Sequence, residues 1–122
     1  MRPTVQVVAK RDVELSDEVV RWYVRLGVRD RAYADRALDR LASSGSDLRM
    51  PQSRALGGGL HELRFTCQGG SRRITYALGP EGRVHALTTF RKQRGRERHE
   101  IDRAHRVLER VRSQARERER SR

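Results

Sequence analysis

Three segments of alternating apolar and polar residues follow one another with only short turns between them. They span about residues 60–67, 72–79 and 83–90, and the intervening turns are rich in glycine. Connections of this length join neighbouring strands as hairpins. The sequence therefore predicts an antiparallel meander of three strands, with one face of the sheet packed on a core.

The alternation within these strands places arginine opposite the core. Successive side chains of a strand point to opposite faces, so Leu63 and Ile74 can face a core while Arg64 and Arg73 face away. A sheet with fixed arginines on an open face suits a polyanion, because guanidinium groups bind phosphate through paired hydrogen bonds. Glu62 shares the arginine side, so a structural salt bridge is the alternative role for either arginine.

Helical periodicity flanks the predicted sheet on both sides. One helix begins after Ser16, which can cap it, and a second begins at Asp30, so together they form a helical hairpin. Residues 97–117 predict a C-terminal helix, followed by a frayed basic tail at 116–122. This order predicts a single α+β domain over residues 1–122, with the N-terminal hairpin packed on a small antiparallel sheet.

Two further segments complete the prediction. Residues 4–8 alternate in the manner of a short strand. Residues 43–59 contain almost no regular pattern, and a structureless segment of that length is commonly functional. Arg54 lies within it, ahead of three consecutive glycines.

The chain is strongly basic, with 28 Lys+Arg against 16 Asp+Glu and a formal net charge of +12 over 122 residues. This excess favours a phosphate-rich partner or an acidic protein partner, while an arginine-rich solvated surface is the alternative. The positive charge is nearly unrelieved where the last strand meets the last helix, at Arg91, Lys92, Arg94 and Arg96. We expect that junction to contact phosphate.

Several classes of site are disfavoured. The single cysteine, Cys67, excludes an internal disulfide framework. The four histidines do not match the spacing of a metal site, and a phosphate-binding glycine motif with its lysine is missing. We therefore expect no metal and no cofactor. The chain lacks an apolar run of membrane-spanning length and an apolar signal core, so we expect a cytoplasmic protein with no membrane partner.

The motifs taken together resemble a known family. They are Met-Pro at 50–51, Gly-Leu-His-Glu-Leu-Arg at 59–64, Arg-Ile-Thr-Tyr at 73–76, Phe-Arg-Lys at 90–92 and Glu-Ile-x-x-Ala-x-Arg at 100–106. This order resembles the RelE/ParE toxin superfamily, and in particular its HigB-like, phage-related branch. The resemblance implies a RelE-like fold and a toxin of a bacterial type II toxin–antitoxin pair. Such a toxin cleaves mRNA on translating ribosomes and is neutralised by a helix-turn-helix antitoxin.

The resemblance also implies site residues for a metal-independent endoribonuclease, an mRNA interferase that inhibits translation. Fixed cations would stabilise the charge that develops when a 2′-hydroxyl attacks the neighbouring phosphorus. The candidate catalytic residues are Arg64, Arg73, Arg91 and Lys92. The candidate RNA-binding residues are Arg54, Arg94, Arg96 and His85, the last of which shares strand alternation with Arg91 and is also a candidate acid or base.

Two other functions remain open from the sequence. A ParE-like toxin would inhibit DNA gyrase by binding protein, without nuclease chemistry. A non-enzymatic nucleic-acid-binding protein would bind tightly and in a salt-sensitive manner without cleavage.

Overall fold

The computed structural model describes residues 12–44, 52–79 and 82–121, which form a mixed sheet with helices on both faces. The strands are β1 (Val13–Leu15), β2 (Ser53–Gly57), β3 (Leu60–Cys67), β4 (Gly70–Leu78) and β5 (Val84–Arg91). The helices are α1 (Asp17–Val24), α2 (Val28–Ser44) and α3 (Glu97–Arg120). The strand order across the sheet is β1-β5-β4-β3-β2. The α+β class and the helical hairpin are as predicted.

The predicted meander is confirmed by strands β3, β4 and β5, which pair antiparallel in sequence order. The turn between β3 and β4 uses left-handed backbone at Gln68 (φ 54°) and Gly69 (φ 71°). Glycine reaches that conformation without steric cost, whereas Gln68 adopts it at some cost in strain.

Two strands were missed by the sequence analysis. Strand β2 lies inside residues 43–59, so the prediction of an irregular segment there was wrong. It is a short edge strand, and the glycines at 57–59, all with positive φ, join it to β3. Strand β1 pairs parallel with β5, so the sheet is mixed rather than wholly antiparallel. The strand predicted at residues 4–8 lies outside the described residues.

The helical hairpin packs on one face of the sheet. The Ser16 hydroxyl accepts a hydrogen bond from the Val19 amide (3.2 Å), which confirms the predicted cap of α1. Helix α2 begins at Val28, two residues before the predicted start. The buried residues of this core are Val19, Ala37, Leu41, Leu63, Ile74, Tyr76, Val84 and Ala86.

Helix α3 covers part of the other face, which the sequence analysis predicted to be open. Ala104 and Leu108 of α3 pack against Leu60, Ala77 and Leu87 of the sheet. The apolar stripe of α3 needs a partner, and these are the apolar side chains that this face offers. The helix continues to Arg120, so residues 116–120 are helical rather than frayed. None of the helices in the described ranges is both long and apolar enough to cross a bilayer.

An ion pair clamps the first third of α3 to α1. Both guanidinium nitrogens of Arg103 donate to the Glu18 carboxylate, with Nη2 3.0 Å from Oε2, and Nη2 also lies 3.1 Å from Glu100. The same Glu18 carboxylate accepts the Thr89 amide of β5 (2.9 Å), beyond the point where β1 ends. These carboxylates raise the pKa of Arg103. The clamp therefore holds α1, β5 and α3 together.

A β-bulge changes the alternation of β5. Thr75 pairs with Thr88, but Tyr76 pairs with Ala86, so Leu87 is an extra residue on β5. Leu87 packs on α3 and the Thr88 hydroxyl bonds that of Thr75, so two successive residues lie on the α3 face. Beyond the bulge, each side chain of β5 faces the side opposite to that expected from strict alternation.

Candidate functional site

Four charged residues of β2, β3 and β4 lie in two adjacent cross-strand rows on the α3 face. Arg54 is the register partner of Glu62, and Arg64 is the register partner of Arg73. Directly opposed residues of an antiparallel pair share a face. We call Arg54, Glu62, Arg64 and Arg73 together the arginine row. Within it Arg64 and Arg73 lie side by side, as the alternation predicts.

Glu62 is the buried centre of the arginine row. It is 1% exposed, and its Oε1 lies 3.3 Å from Arg64 Nε and 3.1 Å from Arg73 Nε. A buried carboxylate is stable only when opposite charges and donors surround it. One carboxylate therefore serves two guanidinium groups, and the row keeps net positive charge.

Arg73 is fixed in the sheet and nearly inaccessible. It is 4% exposed, and its Nη1 donates to the Ser71 hydroxyl (2.6 Å) and, over a longer distance, to the Arg72 carbonyl (3.4 Å). Its Nε lies at ion-pair distance from Glu62 without the alignment of a hydrogen bond. Burial lowers the pKa of Arg73 and the Glu62 carboxylate opposes that shift, but an arginine side chain stays protonated.

A ligand would meet Arg54 and Arg64 first, because they are the more exposed cations of the row. The Arg64 side chain is 24% exposed beside the buried Glu62. Arg54 is half-buried and has no ion-pair partner within residues 12–44, 52–79 and 82–121. The row thus combines a fixed buried pair with two cations that can reach a phosphate.

The basic connection between β5 and α3 begins next to the row. The Lys92 amide donates to the Ser71 carbonyl (2.9 Å), and the Ser71 hydroxyl holds Arg73. Lys92, Arg94 and Arg96 are exposed to solvent. Arg96 precedes α3 as its N-cap residue without a side-chain capping bond. The connection that carries these cations therefore starts next to the strand that carries Arg73.

Arg91 lies at the same end of the sheet but on the opposite face. Its register partner is Arg72, whereas the partner of Arg73 is Phe90. The predicted convergence of Arg91 with Arg64 and Arg73 on one surface is therefore wrong. The β-bulge at Leu87 is the physical reason, because it reverses the alternation beyond that point.

His85 is separated from the arginine row. It lies five residues before Phe90 on β5, which corresponds to roughly 16 Å along the strand. Its Nδ1 is 3.1 Å from Glu14 Oε2 of the edge strand β1, and its ring lines the groove under the far half of α3. The expectation that His85 joins the arginines is wrong because of this distance. His85 shares the α3 face, as the register partner of Ala77, but lies at the other end of β5 from Phe90, the partner of Arg73.

The family of the chain follows from its sequence. Residues 21–109 match the family described as Phage derived protein Gp49-like (DUF891). The chain belongs to this family. No curated protein sequence is significantly similar to the chain.

The solved structures similar to this Gp49-like protein share a RelE fold. The E. coli toxin RelE, as a double arginine-to-alanine mutant in the free state, is 12% identical, with a TM-score of 0.56 over 84% of this chain and 98% of that chain. The intact E. coli RelBE toxin–antitoxin complex contains a chain that is 12% identical, with a TM-score of 0.51 over 69% of this chain and 99% of that chain. The RelE-like fold that the sequence resemblance implied is therefore confirmed.

Some residues of the Gp49-like site were not singled out in the sequence. The Ser71 hydroxyl accepts a hydrogen bond from Arg73, and its carbonyl accepts one from the Lys92 amide. The buried hydroxyls of Thr75 and Thr88 bond each other on the strands next to Glu62. Their only signal was strand alternation, which Ser71 and Thr75 share with Arg73. Groups of three acidic, histidine or cysteine side chains placed to hold a metal ion are missing from the part of the chain that the structure describes.

Proposed function

We propose that this Gp49-like protein is the toxin of a type II toxin–antitoxin pair and that it cleaves mRNA on translating ribosomes without a metal ion. Family membership and the RelE-like fold support a toxin. The observation that carries the nuclease proposal is the arginine row, in which buried Glu62 holds Arg73 and the partly exposed Arg64 at one end of the sheet.

Cleavage of this kind needs orientation and charge more than covalent chemistry from the protein. The RNA 2′-hydroxyl attacks the adjacent phosphorus, and the 5′-oxygen leaves, which produces a 2′,3′-cyclic phosphate. Extra negative charge develops on the non-bridging oxygens in the transition state. In this proposal Arg64 donates hydrogen bonds to those oxygens, and the buried charge of Arg73 adds to the positive potential there. Groups that are already fixed need no reorganisation as this charge develops.

The surrounding cations have supporting roles in this proposal. Lys92, whose backbone amide bonds Ser71, supplies an ammonium proton to the leaving 5′-oxygen in this proposal. Arg54, Arg94 and Arg96 bind the flanking phosphates. Arg91 and His85 have no part in the reacting centre.

We infer that an antitoxin protein neutralises this toxin. The structural likeness to the RelBE toxin–antitoxin complex supports such a partner. The helix-turn-helix class of the antitoxin rests on the resemblance of the sequence alone.

Induced expression followed by primer extension on cellular mRNA tests the proposal. We expect new 5′ ends within coding regions after induction of the wild type. Variant Arg64→Gln should produce none, whereas Arg118→Gln, which removes the same charge near the far end of α3, should act like the wild type. Purified protein that has been stripped of bound metal with EDTA, before it is mixed with ribosomes, should cleave as fast as the untreated protein.

Two results would overturn the nuclease proposal. Growth arrest with intact mRNA and inhibited DNA supercoiling would indicate a gyrase inhibitor. Tight, salt-sensitive RNA binding with neither cleavage nor growth arrest would indicate a nucleic-acid-binding protein.

A further inference from the structure

We propose that Arg72 and Arg91 form a phosphate-binding subsite on the face of the sheet opposite the arginine row. The subsite binds a second phosphate group of the same single-stranded RNA. This inference rests on the proposed function for the identity of its ligand.

Like charges stand directly opposite each other in this subsite. Arg72 of β4 and Arg91 of β5 are register partners on adjacent strands. Neither guanidinium has a carboxylate within ion-pair distance among the residues that the structure describes. Opposed like charges destabilise a sheet. Burial lowers the pKa of Arg72 and the neighbouring Arg91 lowers it further, whereas Cys67 and Glu18 oppose the shift. An anion bound between the two would relieve the repulsion.

Arg72 is held in place as a donor. Its guanidinium stacks over the Trp22 ring, 4.9 Å from the centroid, and its Nη2 donates to Gln68 Oε1 (3.3 Å). The same oxygen accepts the Trp22 indole N–H (3.3 Å). The backbone amide of Gln68 in turn donates to Asp30 Oδ1 (2.9 Å), so this carboxylate is engaged with the turn rather than with Arg72. These contacts with Trp22, Asp30 and Arg72 hold Gln68 in its left-handed backbone conformation at the turn.

Arg91 lies in a space that a glycine leaves open. A Cβ atom on Gly70 would lie 2.8 Å from Arg91 Nη2 and 2.9 Å from Nε. Any other residue at position 70 would therefore displace the guanidinium from its place beside Arg72. Arg91 is itself exposed, so its remaining N–H groups are accessible to a ligand.

The topology connects the two faces. Arg72 and Arg73 are consecutive residues of β4, so they point to opposite faces of the same end of the sheet. The exposed Lys92 lies between the two faces, at the start of the connection to α3. A single strand that places one linkage on the arginine row can pass around this end of the sheet and place another phosphate on Arg72 and Arg91.

Salt-dependent binding of a non-cleavable probe tests the subsite. The probe is a fluorescent single-stranded RNA with methylated 2′-hydroxyls, and fluorescence anisotropy gives its affinity over a range of NaCl concentrations. Loss of one phosphate contact should reduce the slope of log K against log salt by about 0.7. We expect this reduction for Arg91→Gln and not for the matched control Arg118→Gln. Equal thermal unfolding midpoints establish that the variants are folded.

A second variant separates a built subsite from general charge. Gly70→Ala keeps every charge but moves the Arg91 guanidinium. We expect Gly70→Ala to weaken probe binding. Wild-type affinity in Gly70→Ala, or a wild-type slope in Arg91→Gln, would overturn the subsite. Retained RNA affinity in Arg91→Gln with lost binding of an acidic protein antitoxin would also overturn it, and would assign the surface to that protein.

The subsite and the proposed function can fail separately. If Arg91→Gln reduces the slope but the wild type never cleaves mRNA, the subsite stands and the nuclease proposal fails. If the wild type cleaves mRNA and Arg91→Gln has an unchanged slope, the nuclease proposal stands and the subsite fails.

Discussion

The two ends of the strand order each hold one glutamate between two basic side chains, but the two groups differ in burial. On β3, next to the β2 edge, Glu62 lies between Arg64 and Arg73, and its side chain is 2% exposed. On β1, at the opposite edge, Glu14 lies between Arg83 and His85, and its side chain is 55% exposed. Charges in water are screened and their pairing contributes little, whereas a buried carboxylate must be matched by fixed partners. A glutamate between basic side chains is therefore part of a rigid site at the first end and of a solvated pair at the second.

Removal of the two glutamates should give the largest difference between the ends. Glu62→Gln leaves the buried Arg73 without its counter-charge and should lower the free energy of unfolding by about 3 kcal/mol. Glu14→Gln should lower it by less than about 1 kcal/mol. Urea denaturation of the two variants measures both values. Similar losses for Glu62→Gln and Glu14→Gln would contradict the contrast in burial.

Removal of one arginine at each end should separate their contributions to cleavage. Arg64→Gln should reduce the single-turnover rate of mRNA cleavage by about 10²–10³-fold, as loss of one fixed donor to a developing oxyanion does in other enzymes. Arg83→Gln removes the same charge from the Glu14 group and should leave the rate unchanged. A comparable loss in both variants would mean that net charge, rather than the arginine row, determines the rate.

The clamp on α3 should matter more than an exposed pair on the same helix. Arg103→Gln removes the bidentate contact with Glu18 and should lower the free energy of unfolding by about 1.5 kcal/mol. Arg116→Gln removes the exposed pair with Glu109 and should change it by less than about 0.5 kcal/mol. Thermal or urea unfolding distinguishes them, and an equal effect would show that the clamp does not hold α3 on the sheet.

The smallest expected effect concerns pH. Burial lowers the pKa of His61, whose ring stacks on Tyr76 at 5.3 Å between centroids. The unfolded chain then binds a proton more readily than the folded one. This histidine therefore reduces stability as the pH falls below 6.5, which is the ordinary pKa of histidine. His61→Phe retains the stack and should lose less stability than the wild type between pH 7 and pH 5.5. An identical pH dependence would show that His61 is not the group responsible.

Local sequence patterns were sufficient for most of the fold. The three strands of the meander and the cap of α1 at Ser16 each depend on contacts that are close in sequence. Strands β1 and β2 were missed because each is short and lies at an edge. Strand β1 also pairs with a distant part of the chain, and the register of β2 with β3 shifts between Ala55 and Gly57. Their formation depends on tertiary pairing rather than on a local period.

The candidate site could be predicted only in part for a related reason. Alternation was enough to place Arg64 beside Arg73, and it identified Glu62 as a possible partner. It could not show that Glu62 is buried, because burial depends on packing between distant elements. One extra residue in β5, at Leu87, moved Arg91 to the opposite face, and no sequence pattern marks that bulge.

Analysis of the fragment ends shows whether the 2′-hydroxyl is the nucleophile. We predict that mRNA fragments produced by the wild type carry 5′-hydroxyl and 2′,3′-cyclic phosphate ends, and that Arg64→Gln produces neither. Fragments with 5′-phosphate and 3′-hydroxyl ends, or unchanged fragments from Arg64→Gln, would contradict attack by the 2′-hydroxyl at the arginine row.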